Sequence, residues 1–81
     1  MNNELEGTFW FTEAHCSVQL LYQAEQRRQI KEIFTDWLLA AEGYDKQNDR
    51  EIIIYKKSFQ NKIELREFFR FNKLTNFKEV K

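Results

Sequence analysis

Residues 24–41 read AEQRRQIKEIFTDWLLAA, and the spacing of their apolar side chains decides what the rest of the chain must supply. Ile30, Ile33, Phe34, Trp37, Leu38 and Ala41 recur at i, i+3, i+4, i+7, i+8 and i+11. At about 100° per residue these positions gather on one side of an α-helix. Arg28, Glu32, Thr35 and Asp36 take the opposite side, with Leu39 as an apolar misfit. The spacing predicts one long helix over 24–41, ended by Gly43 just beyond Glu42, where a left-handed residue is wanted. No Ser, Thr, Asp or Asn caps its start, although Glu25 in the first turn suits the helix dipole. Such a helix is unstable alone in water, so its stripe needs a sheet or another helix against it.

The flanking segments offer that cover. Residues 8–12, TFWFT, form a dense β-favouring run that is apolar on both sides, as an interior strand is. Residues 13–15 read as a short turn. In 16–22 the pattern alternates, with Cys16, Val18, Leu20 and Tyr22 facing one way and Ser17 and Gln19 the other, so a half-buried strand is expected. Residues 44–50, YDKQNDR, read as a polar loop. Residues 51–57, EIIIYKK, form a second interior strand. In 62–71, KIELREFFRF, Ile63, Leu65, Phe69 and Phe71 alternate with Lys62, Glu64, Arg66 and Arg70, so the segment reads as a fourth strand after a turn at 58–61. A helix capped by Ser58 is the alternative, since Glu, Leu, Arg and Lys are good helix formers. In the tail 72–81, Leu74 and Phe77 are expected to clip onto the core.

The expected fold is α+β, a four-stranded, mainly antiparallel ββαββ sheet with one long helix on one face. The alternative is ββαβα with a second helix at about 59–72. Strands one and three are too apolar for edges, which favours the order 2-1-3-4. The chain, residues 1–81, reads as one small domain with frayed ends at 1–6 and 78–81. At this size roughly 60–65% of the unfolded surface is buried. Eight Phe, three Tyr and two Trp make so thin a core sufficient, because each ring buries about 150–250 Å².

Net charge is zero, but residues 1–49 hold four Lys/Arg against nine Asp/Glu, and residues 50–81 hold nine against four. The halves therefore carry −5 and +5, which are expected to complement each other within the fold or across a dimer. Neutrality of the whole gives little long-range attraction to a polyanion. Cys16 is the single cysteine, so no disulfide forms within the chain and a reducing, cytoplasmic setting is expected. The opening MNNELEG lacks the basic and apolar regions of a signal peptide, and no apolar run approaches the ~20 residues of a membrane span.

No enzyme chemistry emerges. His15 and Cys16 form the one nucleophile–base pairing considered, and neighbours on a strand point to opposite faces. One His and one Cys cannot build a tetrahedral zinc site, and 45–49 lacks the glycine and distal Glu of a calcium loop. No glycine-rich phosphate loop is present, so neither metal, cofactor nor small-molecule substrate is expected.

The informative surface is the sheet face that the helix leaves bare. Parity assigns Trp10, Leu21 and Phe68 to it, with Ile53 or Tyr55, ringed by charges that include Arg66 and Arg70. A Trp-centred patch with a charged rim has the anatomy of a protein interface. The expectation is a regulator, inhibitor or accessory subunit that binds another protein or pairs as a homodimer. The alternative is a single-stranded nucleic-acid binder, stacking bases on the aromatics while Lys57, Lys62, Arg66, Arg70 and Lys73 meet phosphates.

Overall fold

Residues 4–81 are described by the computed structural model of the chain. The first two strands form where expected, β1 over Glu6–Thr12 and β2 over His15–Tyr22. They pair antiparallel with Phe9 opposite Val18 and Thr12 opposite His15. The tight hairpin between them lacks glycine, and Glu13 takes the left-handed conformation instead, at φ 59°. Of the terminus expected to fray at 1–6, residues 1–3 lie outside the described residues, Leu5 is buried and Glu6 already belongs to β1.

The long helix over 24–41 is not what forms. A 3-10 turn, Ala24–Gln26, leads into α1, Arg27–Ile33, and the chain then turns through 34–37 into β3, Leu38–Asp45. The local stop is in the sequence. Thr35 turns its hydroxyl back to donate to the Lys31 and Glu32 carbonyls, at 3.0 and 2.9 Å. Thr and Asp both favour such ends over helix interiors, because their side chains compete for backbone hydrogen bonds. The apolar spacing misleads because Ile30, Phe34 and Trp37 are buried whether the chain continues as helix or turns. Leu38 and Leu39, the supposed continuation of the stripe, are exposed. Leu-Leu-Ala-Ala has high helix propensity, but pairing with the next strand overrides it. Gly43 accordingly sits inside β3 and not beyond a helix end.

The loop expected at 44–50 shrinks to a turn. β3 runs on to Asp45, and its carboxylate accepts from the backbone of Gln47 at 3.1 Å and the side chain of Asn48 at 2.7 Å. The chain returns as β4, Arg50–Ser58, the interior strand expected at 51–57.

Residues 62–71 reverse the other expectation. They wind into α2, Lys62–Phe71, so the ββαβα alternative was nearer in this part. Asn61, not Ser58, is the cap: its side chain accepts from the Glu64 backbone at 3.1 Å. Leu65, Phe68 and Phe69 supply the i, i+3, i+4 stripe, while Ile63 and Phe71 remain 66% and 86% exposed. The alternation had counted those two as inward-facing. α2 ends in a Schellman turn, with Leu74 N–H donating to the Phe69 carbonyl at 2.8 Å and Lys73 N–H to Arg70 at 3.1 Å. Lys73 takes the left-handed position usually given to glycine, at φ 56°. Leu74 is then buried as expected, but the tail is not frayed, since β5, Asn76–Glu79, pairs parallel to β1.

Among the described residues the five strands make one mixed sheet in the order β3-β4-β2-β1-β5. The order 2-1-3-4 fails because β4 pairs with β2, not with β1. The apolar strands β1 and β4 do avoid the edges, shielded by β5 and by β3. One buried cluster joins Cys16, Val18, Leu20, Ile53 and Tyr55 of the sheet to Ile30 and Phe34 of α1 and to Leu65 and Phe69 of α2. Both helices therefore lie on the same face. Aromatic rings seal that layer: Phe34 stacks on Tyr55 at 5.2 Å, and Phe9 meets Phe69 edge-on at 4.7 Å.

Candidate functional site

Strand parity leaves the other face without a second layer among the described residues. Val18, paired to both Phe9 and Tyr55, points into the core, so Trp10, its partner Ser17 and the adjoining Lys56 point away. The next rows on that side hold Ile54 beside Gln19, then Ile52 beside Leu21 and Glu6. Trp10, Leu21, Ile52 and Ile54 are each only half-buried. Arg50 and Glu6 form an ion pair across one end of this face. Between them and Lys78 lies an open hollow of about 330 Å³, floored by Thr8, Gln19 and Leu21. Trp10 also borders a groove of about 600 Å³ with Phe11 and Val80, beyond the end of β5.

Trp10 and Leu21 thus lie where parity assigned them. Ile53 and Tyr55 do not: both are buried on the helix side. Phe68 is there too, its ring 5.2 Å from Trp37 and 5.6 Å from Phe34. Ile52 and Ile54 take their places on the open face. Residues 52–55 are apolar at both parities, so only the pairing with β2 could identify which two face outward. Arg66 and Arg70 are exposed on α2, across the sheet from Trp10.

Of the cations of the nucleic-acid alternative, Lys62 lines the groove that Trp10 borders, while none of the others lines it. Lys57 reaches Asp36 at 3.8 Å and lies 5.5 Å from the centre of the Phe59 ring. Lys62 pairs with Glu79 and, by hydrogen bonding, holds that carboxyl below its usual range. Arg66, Arg70 and Lys73 stay exposed. The split charge is partly reconciled inside the fold, because Glu6–Arg50 and Asp36–Lys57 each join the acidic half to the basic half.

Compared with models of protein families, with curated proteins and with solved structures, the chain matches none significantly.

Cys16 and His15 diverge as neighbours on a strand do. Cys16 is fully buried, and desolvation, helped by the charge of Glu79, pushes its thiol up to about 12. It is a core side chain in an environment that disfavours the thiolate. His15 instead meets Ser58, Nδ1 to Oγ at 3.2 Å, a contact set by the β2–β4 register and invisible in the sequence. Both residues are exposed, so the pair lacks the desolvated setting that makes such a dyad reactive. Among the described residues no group of three or more His, Cys, Asp or Glu is placed to hold a metal ion. Nor is any helix among them long and apolar enough to cross a membrane.

Proposed function

We propose that this domain is a non-enzymatic protein-interaction module, a regulator, inhibitor or accessory subunit, that binds another protein or a second copy through the open face of its sheet. One observation carries the reading: Trp10, Leu21, Ile52 and Ile54 share a face that neither helix covers. Tryptophan is over-represented among residues that dominate binding energy, and the Arg50–Glu6 pair with Lys56 and Lys78 supplies a polar rim. The single thiol suits a reducing compartment, so the cytoplasm is the proposed setting. Affinity capture from the native host tests the reading. Trp10→Ala should lower recovery of a specific partner about tenfold, equivalent to about 1.4 kcal/mol, while the urea midpoint stays close to wild type. Equal recovery by both proteins would count against it.

A second reading, single-stranded nucleic-acid binding, draws support from the far side of the molecule. Phe71, 86% exposed, adjoins Arg70 on α2, with Arg66 and Lys73 close in sequence. It requires a labelled oligonucleotide to bind and to lose affinity steeply between about 50 and 200 mM salt.

A further inference from the structure

We propose that the open face takes an acidic segment of a different protein, with carboxylates meeting Lys56 and Lys78 on either side of Trp10. This rests on the reading of that face as a protein-binding surface and adds the partner's chemistry. The cations of the two faces differ in what answers them. On the helix-bearing side, Lys57 reaches Asp36 at 3.8 Å and Glu79 accepts from Lys62. Their strand neighbours Lys56 and Lys78 point the other way and are exposed. Neither has an acidic partner among the described residues. The three rows of paired side chains that cross the face from Thr8, Trp10 and Thr12 contain no Asp or Glu. At the far end of the face, by contrast, Arg50 is answered by Glu6.

Strand register fixes the spacing of the two lysines. Lys78 lies beside Thr8 on β5, and Lys56 lies beside Ser17 on β4, three strand spacings away. At about 4.8 Å per strand and about 3.3 Å per residue, their Cα atoms stand about 16 Å apart. Trp10 and Ile54 lie within that span, and Leu38, 75% exposed, adjoins Lys56. A segment laid across the strands can therefore rest an apolar side chain on Trp10 while its carboxylates reach both lysines. Packing on Trp10 supplies affinity, and the exposed charges select the partner and speed the encounter. A second copy meeting this face with its own brings Glu4, Glu6 and Asp45, each already held, by Asn76, Arg50 and Asn48. Nucleic acid fits less well, because two unanswered lysines neutralise few phosphates and the aliphatic Leu21, Ile52 and Ile54 give bases no ring to stack on.

Fluorescence anisotropy with defined probes tests the charge. A labelled dodecapeptide alternating glutamate with leucine is long enough to reach both lysines and should bind wild type. The peptide alternating lysine with leucine, and a labelled deoxythymidine dodecamer, should each bind at least about tenfold more weakly. Lys56→Glu/Lys78→Glu reverses two exposed charges, so affinity for the glutamate peptide should fall about tenfold while the urea midpoint stays unchanged. Lys31→Glu, which reverses an exposed cation on α1, should bind as wild type does. No binding of the glutamate peptide at about 1 mM, equal affinity for the two peptides, equal affinity in the double variant, or tighter binding of the oligonucleotide would each overturn the proposal. Capture from the native host separates this failure from that of the underlying reading. Partner recovery lost in Trp10→Ala but kept in the double variant overturns the acidic partner alone, whereas recovery kept in both overturns the two together.

Discussion

Two faces of one sheet, built from alternate residues of the same strands, have different fates. Ile53 is buried against the helices, whereas Ile52 and Ile54, chemically identical and one residue away, are only partly buried. On β2, Val18 and Leu20 are fully enclosed while Leu21 is not. Hydrophobicity alone therefore does not bury a side chain; a second layer has to lie over it. Here α1 and α2 both lie on the side of Phe9 and Phe11, and the aromatic surplus is spent closing that one interface. The opposite face keeps apolar residues that no helix among the described residues covers. That asymmetry is the main reason to look for a partner there.

The contrast is broken most severely at the centre of the sealed side. Phe34 is buried against Tyr55, Trp37 and Phe68, so Phe34→Ala should cost about 3–5 kcal/mol. A domain of this size has roughly 4–8 kcal/mol in total, and urea denaturation should find the variant marginally folded. A sharper comparison sets Ile53→Ala against Ile54→Ala. The first should cost about 2–5 kcal/mol, because it leaves a cavity in packed surroundings. The second should cost about 1 kcal/mol, because solvent fills the space; equal urea midpoints would deny that the two faces differ.

An effect absent at neutral pH concerns Cys16. Its thiol is raised from the ordinary 9.0 to about 12 in the folded protein, so above pH 9 the unfolded chain loses a proton that the native state retains. Its contribution to stability is complete below about pH 9 and is lost as pH rises toward 12. Denaturation midpoints of wild type should accordingly fall more steeply over that range than those of Cys16→Ala.

Much of the β framework was readable from residue pattern. TFWFT, the alternation after His15 and the EIIIYKK run each became a strand close to the expected bounds. The two amphipathic stretches exchanged roles in part. Residues 38–41 became strand despite helical spacing, and 62–71 became helix despite alternation. In each the local cue was present, Thr35-Asp36 before the first and Asn61 before the second, but it was outweighed by a periodicity that several apolar residues satisfied in two ways. At the candidate site, Trp10 and Leu21 were identifiable from parity on strands whose other side was plainly the core. Ile52, Ile54 and Ser58 were not, because residues 52–55 are apolar at both parities and Ser58 meets His15 only through the register of β4 on β2.

Composition and local chemistry were enough to fix a small α+β domain with an aromatic core, three of its strands, a lone thiol and a charge split between halves. Long-range pairing decided the rest: which strand lies beside which, that residues 38–45 complete the sheet, and that both helices share a face. Side-chain spacing records which residues avoid water but not which neighbour shields them, and backbone pairing between distant segments leaves almost no mark on either sequence.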